Sequence, residues 1–447
     1  MTLKSLQIAG FLIPAVTLLS GCGGSDGNPS SSPASVPAPA PTPSPTPTPT
    51  PTPTSAGFAK LQASLSEGRA LTVDASAGAT VTTLAGTSSF TSPEVIAFDD
   101  PRIRWLGGKW ISGPNYPYDR ARVGQSTTYR DPADLNGAGL PRYRAGENNG
   151  VQFVLPANQN EFEAVLLDSG SPQNINLIVD GFATSASGYS GEQVFNGSFK
   201  YTRFSLPPSG QARTVTVNFG FRPFMGLRLP SGGTIDAAPT ANASVVFIGD
   251  SITEGAVSTM ADMAWPMQAA YRLGIPNSIV SGVGGSGYLK RYPSDTGYNF
   301  RDRIDDVLTA VDGGPPDAVI IAGGINDCSV APGGPYSADE VGSAALTYFR
   351  ELRSGAPDMP IFVLGPFTDY NHPDYSQTLT TCRDAIFLAA SQVSETHTID
   401  VSDWVTSANR DIIFDGTNNG PHPINAGHAI YGQRAAEAMI RILNGRM

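Results

Sequence analysis

The spacing of hydrophobic positions changes character along the chain, and each change marks a segment. Ile8 to Leu19 is a short apolar run behind Lys4, interrupted by Pro14 and too brief to span a bilayer. Asn28 to Ser55 contains no large apolar side chain beyond Val36, so it has nothing with which to build a core. From Phe58 to about Ala238 the apolar positions fall in short runs bounded by turn residues. Strands are expected at Val151–Leu155, Phe162–Leu167, Ile175–Val179, Phe199–Ser205, Thr214–Phe219 and Gly226–Leu229. Phe199 to Phe204 alternates with the period of two of a half-buried strand. Short strands at this spacing predict a sandwich or jelly roll. From Ala243 the runs become continuous and helical stretches separate them. Ser244–Ile248, Asp317–Ala322 and Pro360–Leu364 read as buried strands, with weaker candidates at Ser278–Ser281 and Thr396–Val401. Ser337–Arg353, Thr378–Val393 and Ala426–Leu443 read as helices. Alternating strands and helices predict a parallel sheet covered on both faces, with its ligand site at the carboxyl ends of the strands.

The chain of 447 residues is too long for one ordinary core and implies two domains. A net charge of −11 without a basic run argues against a nucleic-acid or anionic-membrane surface. Charged residues are sparse at 15%, while Gly (49) and Pro (38) are abundant, as in an exported, loop-rich chain. Leu18-Leu19-Ser20-Gly21-Cys22 closes the leader and resembles a bacterial lipobox, in which the Cys becomes a lipidated N-terminus. The alternative is an ordinary secretory signal with an incidental Cys. The Pro-Thr repeats that follow favour extended polyproline II, a stiff spacer between membrane and folded domains. The expected organisation is a lipoprotein signal over 1–22, a disordered linker over 23–56, a β-sandwich over 57–238 and an α/β domain over 243–447. The expected location is the bacterial cell envelope, at the outer membrane, periplasm or cell surface. Cys328 and Cys382 remain, either as a disulfide at the rim of the α/β domain or as two separate buried thiols.

Four motifs fall at or just beyond the expected strand ends. Gly249-Asp250-Ser251-Ile252-Thr253-Glu254-Gly255 places Ser251 between a strand and a helix. A hydroxyl there becomes a nucleophile once a base takes its proton, though Ser is also common as a helix N-cap. Gly282-Val283-Gly284-Gly285-Ser286-Gly287 supplies backbone N–H groups that a substrate oxygen can approach closely. Gly285 is the chosen donor, with Gly284 and Gly287 as competitors. Gly324-Ile325-Asn326-Asp327 offers the Asn326 side-chain amide to the same oxygen. Together with the Ser251 N–H these form an oxyanion hole, in which one donor contributes roughly 3–4 kcal/mol. His422-Pro423-Ile424-Asn425-Ala426-Gly427-His428 supplies the base. Of the four histidines, His397 and His428 look structural, and His372, with Asp369 three residues before it, competes with His422.

The order of these motifs resembles that of the GDSL/SGNH hydrolase superfamily over Ser244 to Met447. Its four marker residues match Ser251, Gly285, Asn326 and His422. The resemblance implies a three-layer α/β/α flavodoxin-like domain and ester hydrolysis through an acyl-serine, with no metal or other cofactor. A β-domain placed ahead of such a domain is similar to the layout of carbohydrate esterase family two, which implies an O-acylated polysaccharide or oligosaccharide as partner.

One position departs from the family pattern. Asp usually stands three residues before the catalytic His, and here that residue is Asn419. Either Asp415 reaches the ring as orienter, or the enzyme works as a Ser–His dyad. The competing functions are a lipase or aryl-esterase of the same class, and a carbohydrate-binding lipoprotein without catalysis. Trp105, Trp110, Tyr116 and Tyr118 are either a sugar-stacking platform or core packing.

Overall fold

The computed structural model of the chain describes residues 55–445 apart from 112–141, 168–173, 190–198, 221, 223, 242, 293–297, 312–313, 329–335 and 417–419. The leader, Cys22 and nearly all of the spacer lie outside the described residues, as do Tyr116, Tyr118 and Asn419.

The sequence reads Phe58 onward as all-β, but this stretch opens on a helix, α1 (Ala56–Ser64). Ser55 caps it, its side chain accepting from the Phe58 N–H. Leu61 explains the helix: it is buried among the apolar side chains of the α/β domain, and Gln62 Nε2 donates to the Leu443 carbonyl there. Helix α1 therefore packs as part of the second domain although it precedes the first in sequence.

The first domain contains β1 (Thr80–Ala85), β2 (Glu94–Ile96), β3 (Arg104–Ile111), β4 (Arg142–Leu155), β5 (Glu161–Leu167), β6 (Asn176–Val179), β7 (Phe182–Ala183), β8 (Phe199–Ser205), β9 (Arg213–Asn218) and β10 (Phe224–Leu229). They pair antiparallel in two five-stranded sheets, β1-β8-β5-β10-β2 and β3-β4-β9-β6-β7. Alternate residues of both sheets face one core. Phe162 stacks on Phe204 at 5.0 Å and meets Phe153 edge-on at 5.2 Å. All three are fully buried, so truncating any one to Ala would cost about 3–5 kcal/mol. Trp105 belongs to this core: its ring meets Phe219 and Phe224 edge-on, and its Nε1 donates to the Phe98 carbonyl. Trp105 is therefore no sugar platform.

The second domain runs β11 (Val245–Gly249), α2 (Ser251–Glu254), α3 (Trp265–Arg272), β12 (Ser278–Gly282), α4 (Ile304–Leu308), β13 (Ala318–Ala322), α5 (Ile325–Cys328), α6 (Ala338–Gly355), β14 (Ile361–Leu364), α7 (Gln377–Ser391), β15 (Thr396–Ile399), α8 (Arg410–Phe414) and α9 (Asn425–Leu443). All five strands are parallel, in the order β12-β11-β13-β14-β15. The continuous apolar runs have the reason anticipated for them, since residues on both faces are buried. Val245 and Phe247 face α3 and α9, while Val246 and Ile248 face α6 and α7. The result is the three-layer α/β/α arrangement.

The domains meet along β12, an edge strand. The Asn148 amide on β4 stands in for a neighbouring strand there. Its Nδ2 donates to the Ser278 carbonyl at 2.6 Å, and its Oδ1 accepts from the Val280 N–H at 3.1 Å. Edge groups that would otherwise be open are thereby satisfied. Nearby, the buried Asp262 carboxylate accepts from Asn176 Nδ2 of the sandwich and from the Tyr271 hydroxyl of α3.

Candidate active site

Ser251 is the first residue of α2, immediately beyond the carboxyl end of β11. Asp250 caps the helix, its Oδ1 accepting the Ile252 N–H at 2.9 Å. The turn is short because α2 ends four residues on, with Gly255 in the left-handed region. The Ser251 N–H has no acceptor among the described residues.

The loop Val283–Gly287 leaves the neighbouring strand β12 and lies against this turn. A Cβ added to Gly284 would stand 3.5 Å from the Ser251 Cβ. The loop amides are nearly all used. Val283 N–H donates to the Gly249 carbonyl, Gly284 N–H to Glu254 Oε2 at 2.8 Å, Ser286 N–H to the Val283 carbonyl and Gly287 N–H to the Lys290 carbonyl. Of the loop amides, the Gly285 N–H alone has no acceptor among the described residues, which separates Gly285 from its competitors Gly284 and Gly287. Gly285 also has φ of +74°, and a Cβ there would meet the Tyr292 ring at 2.6 Å. Glycine is needed on both counts.

Asn326 stands in the first turn after β13, on α5. Its Nδ2 donates one N–H to the Ser286 carbonyl at 2.9 Å, which leaves the other for an oxyanion. Its neighbour Asp327 is buried and accepts the N–H groups of Tyr288, Leu289 and Lys290, so β13 and the glycine loop are tied together. Burial raises the Asp327 pKa, with those three amides opposing the shift.

His422 lies in the turn before α9, and its Nε2 is 2.7 Å from Ser251 Oγ. Two contacts hold that turn in place. Ile424 N–H donates to the Ile413 carbonyl at the end of α8, and Asn425 exchanges hydrogen bonds with the backbone and hydroxyl of Thr259, in the loop after α2. The competing histidines are elsewhere engaged. His372 pairs through Nδ1 with Asp369 at 2.9 Å on the surface. His397 packs beside Phe58 and Phe362. His428 is fully buried, with Nδ1 accepting from the Trp265 N–H and Nε2 donating to the Ala256 carbonyl.

Asp415 does not reach the imidazole. It ends α8 in the left-handed region with φ of 56°, exposed, and no hydrogen bond or ion pair joins it to His422. The backbone reverses there through Asp415 and Gly416, so the reading of Asp415 as orienter is corrected.

Glu254 and Arg303 are the residues that motif reasoning missed. Glu254 sits inside the first motif, but nothing in the sequence distinguishes it from a turn residue. Its carboxylate is buried, which raises its pKa to about 7, and it holds the Gly284 amide. Asp250 is likewise raised to about 7 by burial. Arg303 belongs to no motif at all. The two cysteines do pair: a Cys328–Cys382 disulfide joins α5 to α7, two residues beyond Asn326.

Residues 247–430 match the model of the GDSL-like lipase/acylhydrolase family. The match spans most of the α/β domain and supports its assignment to the GDSL/SGNH superfamily and to the ester hydrolases. Its fold and two-domain layout are similar to a family two carbohydrate esterase from Cellvibrio japonicus, at 16% identity and TM-score 0.54, covering 82% of this chain and 99% of that one. A salicylyl-acyltransferase from a tetracycline biosynthetic pathway is similar at 15% identity and TM-score 0.56, over 78% of this chain and 97% of that one. An acetyl xylan esterase from the rumen bacterium Butyrivibrio proteoclasticus is similar at 15% identity and TM-score 0.51, over 83% and 100%. A search of curated proteins found no match to the sequence.

Proposed function

We propose that this chain is a serine esterase acting outside the cytoplasm on O-acetylated carbohydrate, through an acyl-enzyme. The observation that carries the reading is the 2.7 Å approach of His422 Nε2 to Ser251 Oγ, beside two N–H groups, of Ser251 and Gly285, that have no acceptor among the described residues. His422 takes the Ser251 proton as the oxygen attacks the acyl carbon. The carbonyl oxygen becomes an oxyanion held by the N–H groups of Ser251 and Gly285 and by Asn326 Nδ2. The intermediate collapses, the ester C–O bond breaks, and His422 returns the proton to the leaving alcohol. Water then attacks the acyl-serine, giving its proton to His422, and acetate leaves as the Ser251 hydroxyl is restored.

Two observations support a sugar as the alcohol. The Tyr292 side chain is 43% exposed although its ring lies against Gly285, so an apolar face stands open beside the oxyanion loop. Among the similar folds are a family two carbohydrate esterase and an acetyl xylan esterase. Lipid anchoring at Cys22 rests on the sequence Leu18 to Cys22 alone.

The test is acetate release from acetylated xylan by the full chain and by Ser251→Ala. Turnover is expected to vanish in the variant while its thermal transition is unchanged; retained turnover would overturn the reading. Loss of radiolabelled palmitate incorporation in Cys22→Ala cells tests the anchor, and a wild-type protein that takes up no label would remove it.

A further inference from the structure

The guanidinium of Arg303 is fully buried and is directed entirely at neutral acceptors. Nη1 donates to the Ser281 carbonyl at 2.5 Å and to Ser281 Oγ at 3.2 Å. Nη2 donates to the Gly249 carbonyl at 2.9 Å and to Ser286 Oγ at 3.2 Å, and Nε to the Asn299 carbonyl at 3.4 Å. These acceptors are not scattered. Gly249 ends β11, two residues before Ser251, and Ser281 lies at the end of β12. Ser286 follows Gly285, and its carbonyl receives the Asn326 amide.

Given the serine-esterase reading, on which this inference rests, we propose that Arg303 is the positioning residue of the oxyanion hole. One rigid planar group fixes the relative placement of the nucleophile turn, the glycine loop and, through Ser286, the Asn326 side chain. Lys could not do this, because a single ammonium cannot span three segments as a fork does. Glu254 completes the clamp by holding the Gly284 amide, so Gly285 is flanked by one tethered residue on each side. The Ser286 hydroxyl donates in turn to the Val283 carbonyl at 2.7 Å, which closes the loop on itself.

The energetics argue that this is more than packing. A buried cation without a directly bonded carboxylate is costly, and an apolar side chain of similar volume would fill the space more cheaply. Burial alone pulls the Arg303 pKa down to about 10, with Tyr348 and the nearby Asp250 and Glu254 opposing the shift. Hydrogen-bond donors in a catalytic site must be preorganised within a fraction of an ångström, and the supporting residues decide whether they are.

The experiment uses the full chain with phenyl acetate as substrate and phenylboronic acid as inhibitor, since boronate forms a tetrahedral adduct on a serine oxygen and so reports on the hole. Arg303→Lys is expected to lower kcat about 30-fold with KM within about twofold, and to weaken boronate binding in step with kcat. Combined with Asn326→Ala, its effect should be much less than multiplicative, because both act on one oxygen through Ser286. Ser286→Ala, which removes only one hydroxyl, serves if Arg303→Lys folds poorly; about tenfold lower kcat at an unchanged thermal transition is expected. Wild-type kcat and boronate affinity in Arg303→Lys or Ser286→Ala would overturn the inference, as would losses that multiply with those of Asn326→Ala. Neither result would disturb the serine-esterase reading, which stands or falls with Ser251→Ala measured alongside.

Discussion

His422 Nε2 stands 2.7 Å from Ser251 Oγ across 171 residues of chain. The sheet explains how such distant residues meet. Strand β11 delivers Ser251 at its carboxyl end, and the turn between α8 and α9 brings His422 back over the same edge. Replacing His422 by Ala should therefore lower kcat by at least about a thousandfold. His372→Ala should change kcat less than threefold, because that ring is held by Asp369 on the surface. Asp415→Ala should be as mild, since no bond joins Asp415 to the imidazole. Steady-state kinetics on phenyl acetate settle all three, and a large loss in Asp415→Ala would refute the placement of that residue.

Tyr292 gives a prediction about selectivity. Its ring covers Gly285 on one side and is open on the other. Tyr292→Ala should raise KM for an acetylated xylo-oligosaccharide about tenfold, the loss of one aromatic stacking contact. KM for phenyl acetate should move much less, because a small ester offers no sugar ring. Equal changes for both substrates would count against the aromatic face as a sugar contact.

The Cys328–Cys382 disulfide closes a stretch of 54 residues between α5 and α7. By loop-closure entropy it contributes about 4 kcal/mol. The double variant Cys328→Ala/Cys382→Ala should lose about that much unfolding free energy in urea. Its kcat should stay within tenfold of wild type, because Asp327 still pins the oxyanion loop through three amides. A much larger fall in kcat at a modest loss of stability would show that the disulfide, rather than Asp327, sets the position of Asn326.

What could be read in the sequence was what local pattern determines. The strands β11, β13 and β14 announce themselves because burial on both faces demands unbroken apolar runs such as Val245 to Ile248. Strand β8 matched at both ends because it is buried on one face and alternates. Ser251, Asn326 and His422 were legible because motifs mark them. Helix α1 was not, because its buried side, centred on Leu61, is set against a domain that begins some 180 residues later. Arg303 was invisible for a related reason. An arginine in a charged stretch, two residues after Arg301, reads as a surface charge, and only the convergence of Gly249, Ser281 and Ser286 around it shows otherwise. Asp415 erred in the opposite direction. It was near His422 in sequence, but the left-handed turn at the end of α8 leaves it without a contact to the ring.

His428 gives a prediction about acid stability. The ring is fully buried and neutral, receiving the Trp265 N–H on one nitrogen and donating to the Ala256 carbonyl from the other. Burial lowers its pKa to about 4, and the neighbouring His422 pushes the same way. The unfolded chain, with a pKa near 6.5, binds the proton first as the solution is acidified. The contribution of this histidine is therefore complete above about pH 6.5 and is lost progressively towards pH 4, amounting to ~2 kcal/mol by pH 5. Asp250 and Glu254 oppose it in the same window, since their raised pKa values favour the folded state at the acid end. A comparison with His428→Gln isolates the histidine from them. Urea unfolding of both proteins at pH 7.5 and pH 5.0 should show a wild-type loss on acidification that exceeds the variant's by ~2 kcal/mol. Equal losses in the two proteins would mean that His428 is not held neutral by its burial.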